Sequence, residues 1–365
     1  MKIECSSEKI KNILIGLDRI TGKNLSLPVL RCVLCVASGK SLKFRATNLS
    51  VGVEIEIPAE VEKDGVTAFK GAVLAQALSS ITKDEKIKIS LSGDVLNVVT
   101  SKSVFSIKTE NYEDFPTLPV ISGEKITIPV KKLIEGIKSV FFSASISDIK
   151  PEISSVYIYP EEENLIFVST DSFRLAEKKI KMKQNEEFKP TIIPVKNVIE
   201  IVRILENESG DTVVTFSKNQ ISFVAGMTYI TSRIIDGVFP DYKQIIPKEK
   251  KTEAIILKQD FINILKGLNI FSDKFNQIIF HIHPVKKLFE IFSKNSDVGE
   301  NKSHLDGALT GDEIEVSFNY KYINDAFPSL NTDSISVSCV EKNKPVILRS
   351  VGDQSFMYLI MPMNR

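Results

Sequence analysis

Apolar positions along this chain follow two rhythms in turn. Six stretches carry apolar residues at i, i+3, i+4 and i+7, the stripe of an amphipathic helix. The first opens at Ser7, with Ile10, Ile13, Leu14 and Leu17 on one face. The second opens at Lys70, with Val73, Leu74, Ala77, Leu78 and Ile81. The third opens at Val130 (Leu133, Ile134, Ile137, Val140) and the fourth at Val195 (Val198, Ile199, Val202, Leu205). The fifth opens at Leu257 (Phe261, Ile262, Leu265, Leu268) and the sixth at Asn319 (Tyr322, Ile323, Ala326, Phe327). Between them the pattern changes to strict alternation, as at residues 86–91, 95–99 and 104–107, and again at 212–216, 220–223 and 229–233. A period of two is that of half-buried strands. Short strand patterns also lead into the helices, at residues 125–128 and 253–256.

Lysines mark the helix starts at positions 9, 70, 131, 196, 258 and 321, in steps of 61, 61, 65, 62 and 63 residues. A fixed period implies a repeated structural unit, here a strand, a helix and two or three strands. Short helices against several antiparallel strands make the class α+β. The units also pair. The second ends in Phe115-Pro116-Thr117-Leu118-Pro119 and the fourth in Phe239-Pro240-Asp241-Tyr242, and a charged link follows each. Boundaries near 121 and 249 then divide the 365 residues into three doubled domains, 1–121, 122–249 and 250–365, in keeping with the two or three domains such a length allows.

The apolar fraction of 43% and charged fraction of 25% are those of a soluble globular protein. No apolar run reaches the roughly 18–20 residues that span a bilayer. The start, Met1-Lys2-Ile3-Glu4-Cys5, alternates like a strand and lacks the apolar core and cleavage site of a signal peptide. The expectation is a cytoplasmic protein with no membrane contact. A net charge of +1 announces no nucleic-acid partner by itself, so the placement of the lysines has to decide. The N-terminus of a helix carries partial positive charge, and a cation there costs roughly a few tenths of a kcal/mol. Six such placements point to something anionic facing the helix ends. Solvated lysines on polar helix faces are the alternative, and Glu135, Glu200 and Asp260 keep that surface mixed.

Catalytic signatures are missing from the sequence: there is no phosphate-binding glycine loop, HExxH or GxSxG. Cys32 and Cys35 have CxxC spacing, but they fall in a strand-like run where residues three apart point to opposite faces. They read as small buried hydrophobes of a reducing compartment. His281 and His283 share one strand face and His304 lies apart, which leaves a metal site short of ligands. Asp171 and Arg174 have no nucleophile or poised base beside them. The sequence therefore predicts a non-enzyme without metal or cofactor.

One stretch stands out, Thr170-Asp171-Ser172-Phe173-Arg174-Leu175-Ala176. It joins two strand patterns, residues 164–169 and 175–180, through a polar turn that presents an aromatic ring and a guanidinium. Such turns are where binding sites lie; a plain hairpin with Phe173 tucked into the core is the other reading.

Taken together these segments resemble the bacterial DNA sliding clamp family, the beta subunits of the replicative polymerase. The resemblance is carried in order by Leu27-Pro28-Val29-Leu30, Phe115 to Pro119, Thr170 to Ala176, and Phe239 to Tyr242 with Ile246-Pro247. It continues through Asn295-Ser296-Asp297-Val298-Gly299-Glu300 and Tyr358-Leu359-Ile360-Met361-Pro362-Met363. It implies three tandem clamp domains that form half of a closed ring, a head-to-tail homodimer around duplex DNA. It implies no catalysis, and partners that include the DNA polymerase III catalytic subunit, the clamp loader and other clamp-motif proteins. These dock a peptide of the Gln-Leu-x-Leu-Phe kind. Carried over by motif, the pocket floor is Ile153, Thr170, Ser172, Arg174, Leu175, Pro240, Ile245, Leu359 and Met361. The adjoining subsite is Phe173, Asn319, Tyr322, Pro362 and Met363. DNA contacts fall to Lys9, Lys70, Lys131, Lys132, Lys150, Lys196, Lys258 and Lys321, with Lys23 and Asn24 in the loop before Leu27. Asn24 stands where members of the family often carry Arg, and the chain is near neutral where many members are acidic. Phe105 and Ile107 on one side, with Ile270 and Phe271 on the other, are the expected dimer contacts. A repeat-built interaction scaffold that does not encircle DNA is the alternative function.

Overall fold

The computed structural model describes residues 1–22, 27–81, 84–182 and 188–363. Among them the same unit occurs six times: a strand, a helix, then three strands. The helices are α1 (Ser7–Ile20), α2 (Gly71–Ser79), α3 (Val130–Lys138), α4 (Val195–Leu205), α5 (Lys258–Asn269) and α6 (Tyr320–Ala326). Two further strands, Glu60–Lys63 and Gly307–Gly311, extend the pattern. The periodic placement of apolar residues explains the helices. In α1, Ile10, Leu14, Leu17 and Ile20 are buried, and the Ser6 hydroxyl caps the helix by accepting from the Lys9 amide at 3.3 Å. In α2 the buried face is Leu74, Ala75 and Leu78, while Val73, expected on the stripe, is exposed. The Asp18 carboxylate of α1 accepts the Ala72 amide at 3.1 Å and so fixes the rotation of α2.

The chain forms two compact units. The first comprises Met1–Ile134, Glu187–Lys189 and Lys196–Ile234, and the second Glu135–Glu186, Pro190–Val195 and Ile235–Arg365. The first unit is built on one antiparallel sheet of 13 strands, in which Val51–Pro58 pairs with Thr228–Arg233. In the second unit a nine-stranded sheet pairs Arg174–Lys181 with Phe356–Ile360, and a four-stranded sheet stands beside it in sequence. The middle pair of repeats is therefore divided. The three strands after α4, with the strand that opens into α3 (Glu124–Pro129), share a sheet with the first pair, and the three strands after α3, with the strand that opens into α4 (Thr191–Pro194), share one with the last pair, a division that periodicity alone does not reveal.

Four free cysteines are buried, and burial pushes the Cys5 and Cys339 thiols up to about 12. They serve as small core residues, as expected. One glycine has a packing reason. Gly136, inside α3 where glycine weakens a helix, faces the buried Phe167 ring; a Cβ there would lie 2.3 Å from Cε2 of that ring.

The histidines differ from expectation, because His304 is not apart. His281 Nε2 lies 2.8 Å from Glu313 Oε1, and His283 Nε2 lies 3.4 Å from its Oε2. Glu290 meets His281 Nδ1 at 3.6 Å, His304 Nδ1 at 3.7 Å and Lys302 Nζ at 2.6 Å. The strand pairing brings them together, since His281 stands opposite Glu290 and Glu290 opposite His304. These side chains bond to one another, and among the described residues no group of three or more is arranged to hold a metal ion.

Two measurements check this packing. Gly136→Ala should lower stability by about 1–3 kcal/mol through overpacking against Phe167, read as a lower denaturant midpoint with the slope unchanged. Glu290 is held below the usual carboxylate range, chiefly by its Lys302 hydrogen bond, with Lys302, His304 and His281 adding to it against the opposing effect of burial. A lowered folded-state pKa gives stability that is present above the unfolded pKa and lost as pH falls through the folded one. Glu290→Gln should accordingly lose less stability than the parent between roughly pH 5 and pH 3; identical pH profiles would contradict it.

Candidate functional site

The turn after the Asn164–Thr170 strand is held by its own side chains. The Thr170 hydroxyl donates to the Arg174 carbonyl at 2.6 Å and accepts from the Ser172 amide at 3.2 Å. Asp171 Oδ1 accepts from the Phe173 and Arg174 amides at 2.9 and 3.0 Å. This double acceptance lets Ser172 sit at φ 77°, a conformation that a non-glycine residue adopts at a cost. The turn leaves Phe173 60% exposed, as the binding-site reading expects.

Arg174 is different. The sequence reading has its guanidinium presented to solvent, but the residue is only 8% exposed. Asp171 Oδ2 accepts from its Nε at 2.9 Å and Asp325 Oδ2 from its Nη1 at 2.6 Å. Its Cζ lies 4.6 Å from the Tyr322 ring centroid and 5.9 Å from that of Phe142. Burial pulls the guanidinium down, but Tyr358, Asp325 and Asp171 outweigh it and hold its pKa above the ordinary arginine value. Two carboxylates and two rings satisfy a charge that would otherwise be costly to bury. Asp325 and Phe142 escaped the sequence reading. The one available signal was spacing, since Asp325 lies three residues beyond Tyr322, on the same face of α6.

Beneath the turn lies an apolar cluster of Leu175, Leu359, Ile166, Val168, Phe239, Tyr242 and Met357, with Met361 and Ile246 packed against it. Leu175 and Leu359 are paired residues of adjacent strands and are fully buried, so they form the base under the site rather than an open lining. The Tyr242 hydroxyl lies 2.7 Å from that of Tyr159 and donates to Glu177 at 2.5 Å. Burial, then Glu177, pushes the Tyr242 phenol up, which keeps it a donor. Pro240 and Ile245 are exposed around this anchor, Ile245 at the end of the Tyr242–Ile245 turn. The C-terminal run is strapped alongside: the Met361 amide donates to the Phe173 carbonyl at 2.8 Å and the Met363 amide to the Ser317 carbonyl at 2.8 Å. Met361, Pro362 and Met363 are half-buried. Tyr322 is half-buried too, while Asn319 spends its side chain on the Lys321 amide at 3.0 Å as the cap of α6. Ile153 stands on the loop after α3, half-buried, with its carbonyl accepting from Ser145 at 2.9 Å. The structure thus gathers the turn, the tail, the Pro240 to Ile245 segment and α6 within one unit. The result is a surface of Phe, Pro, Met, Ile and Tyr over a rigid base, which suits an apolar peptide anchor. A cavity of about 1110 Å³ in the first unit, lined by Lys2, Glu4, Glu60 and Lys86 among others, is rimmed by surface ion pairs and shares no residue with this site.

Of the helix-start lysines, Lys9, Lys131, Lys132, Lys196 and Lys321 are exposed, and Lys70 is exposed at the cap position of α2. Lys150 is exposed on the loop after α3. Lys258 departs from the group. It is half-buried and its Nζ donates to the Leu330 carbonyl at 2.7 Å, which ties down the start of α5. Lys23 and Asn24 lie outside the described residues. At the expected dimer contacts, Ile270 is 67% exposed and Phe105 half-exposed, but Ile107 is buried in its own unit. Phe105 shares the strand face of Ile107 and is the more exposed of the two. Phe271 is half-buried, its ring 3.7 Å from where a Cβ on Gly299 would stand.

Comparison with known proteins places the whole chain. The family described as DNA polymerase III beta subunit matches through its N-terminal domain at residues 1–119, its central domain at 127–241 and its C-terminal domain at 243–364. Among relatives, the beta sliding clamp of Synechocystis sp. is 26% identical, covering 100% of this chain and 99% of the relative. That of Staphylococcus aureus is 25% identical over 93% of each. The fold is shared with the DNA polymerase III beta subunit of Thermotoga maritima, at TM-score 0.93 and 23% identity over 100% of this chain and 99% of that one. A sliding clamp of Pseudomonas aeruginosa solved bound to griselimycin superposes at TM-score 0.94 and 23% identity, with both chains fully covered.

Proposed function

We propose, starting from the DNA polymerase III beta-subunit family to which this chain belongs, that the protein is a DNA sliding clamp. It encircles duplex DNA as a ring-shaped homodimer and tethers the replicative polymerase and other replication and repair proteins. The observation that carries the reading is the unbroken succession of the three beta-subunit domains over the chain. We take the domain limits as 1–121, 122–249 and 250–365. The clamp acts in the cytoplasm and catalyses nothing itself; its chemistry is contact. Among the described residues no helix is long and apolar enough to cross a membrane.

Toward DNA, the exposed helix-start lysines Lys9, Lys70, Lys131, Lys132, Lys196 and Lys321, with Lys150, meet phosphate and carry no sequence information. Lys258, bonded to its own fold, contributes less. Between subunits, Ile270 with Phe271 meets the Phe105 region of the next chain. Toward partners, the surface around Phe173, Pro240, Ile245, Tyr322, Met361, Pro362 and Met363 takes a Gln-Leu-x-Leu-Phe peptide, with Thr170, Ser172, Leu175 and Leu359 shaping it from below. Its two methionines make the wall adaptable, which fits a site shared by many partners.

The peptide's Leu and Phe would each contribute roughly 1.5–3 kcal/mol on full burial, before ordering costs. Deleting residues 361–365 removes Met361, Pro362 and Met363 together with both straps. The truncated chain should bind the peptide at least about 100-fold more weakly, equivalent to about 2.7 kcal/mol. Calorimetric titration reads this directly, and a truncated, folded chain that binds as tightly as the full one would place the docking surface elsewhere.

A further inference from the structure

We propose that Asp171 and Asp325 are positioning residues of the peptide site, acting through Arg174. The proposal rests on the docking reading and extends it to two side chains that reading leaves without a role. It is carried by a second copy of the same turn in the first unit. There the Thr47 hydroxyl donates to the Val51 carbonyl at 2.8 Å and accepts from the Leu49 amide at 3.0 Å. Asn48 Oδ1 accepts from the Ser50 and Val51 amides at 2.9 and 2.8 Å. Leu49 has φ 73°, matching Ser172 at 77°. The Arg233 amide donates to the Ser50 carbonyl at 2.8 Å, as Met361 does to Phe173 at 2.8 Å. The strands that follow are paired alike, Val51 opposite Ser232 and Arg174 opposite Ile360.

This copy shows what the turn itself requires. One uncharged side-chain oxygen, that of Asn48, does all that Asp171 Oδ1 does. Asp171 Oδ2 is therefore spare, and it holds Arg174 Nε at 2.9 Å while Asp325 holds Nη1 at 2.6 Å. The first copy has no such strut. Val51 stands in the place of Arg174 and Asn197 in that of Tyr322. Glu200, the counterpart of Asp325, is bonded to Arg203 at 2.5 Å within its own helix. Its groove is small, about 150 Å³, and is lined by Leu49, Val51, Gly52, Leu118 and Arg233 among others. Leu118 fills the space above Gly52, where a Cβ would come 2.4 Å from its Cδ2. The turn and the strut are separable: the turn joins strands in both units, and the strut exists only where a surface is needed. Arg174 is too buried to be that surface. It fixes the Tyr322 ring and α6 against the turn, and the two carboxylates fix Arg174.

The test uses the full chain with Asp171→Asn, Asp325→Asn and Arg174→Ala, singly and in pairs, and Asp171→Ala as the control that also loses the turn. Three readouts are taken: the denaturation midpoint, amide hydrogen exchange of residues 320–326 without peptide, and titration with a Gln-Leu-x-Leu-Phe peptide. Asp171→Asn should lower the midpoint less than Asp171→Ala does, speed exchange in α6 and weaken the peptide about 10-fold. Neither asparagine should add to Arg174→Ala. Asp171→Ala should lower the midpoint as well. Unchanged exchange and affinity in both asparagine variants, losses that add to that of Arg174→Ala, or a midpoint drop in Asp171→Asn equal to that in Asp171→Ala would each overturn the proposal. If α6 exchange responds as expected but the unaltered chain fails to bind the peptide, the strut stands and the docking reading falls.

Discussion

Edge-to-edge strand pairing is the constraint on which everything else here depends. A sheet edge with unpaired amides and carbonyls invites unwanted partners, and in this chain two such edges are closed from within. Val51–Pro58 takes Thr228–Arg233 in the first unit, and Arg174–Lys181 takes Phe356–Ile360 in the second. Each pairing is set by the turn before it, where a threonine hydroxyl and an Asn or Asp oxygen occupy the amides that the ladder does not use. The candidate site grows out of the second of these joints. Its base is the paired Leu175 and Leu359, and its wall is the tail that the joint straps down.

Much of this was legible in the sequence, because it is written in periodicity. The buried stripes of α1 and α4 and the alternation of residues 212–216 and 220–223 are local consequences of burial, and the helices begin where the lysines mark them. Phe173 was legible for the same reason: the apolar rhythm breaks there and the ring has no strand face to occupy. Val73 was misplaced because one carboxylate on a neighbouring helix, Asp18, sets the rotation of α2, and periodicity does not see it.

What stayed hidden depends on partners distant in sequence. Arg174 looks available until Asp325, 151 residues away, is brought beside it. His304 looks solitary until strand pairing sets Glu290 between it and His281. Ile107 and Phe105 share a face by alternation, but only the assembled sheet shows that Ile107 is buried. Lys258 keeps the helix-start position of the other lysines yet bonds to the Leu330 carbonyl, 72 residues on. In each case the residue type was read correctly and its neighbour was not readable.

The central claim is that this chain closes around DNA rather than gripping it, so retention should depend on DNA topology and not on sequence. The direct measurement loads the protein onto a nicked circular duplex, washes at moderate salt, and then linearises half of the sample with a restriction enzyme. The account predicts that protein remains on the circle and is lost from the linear form through its free ends, equally for unrelated sequences. Equal retention on circular and linear DNA, or retention that follows sequence, would contradict it.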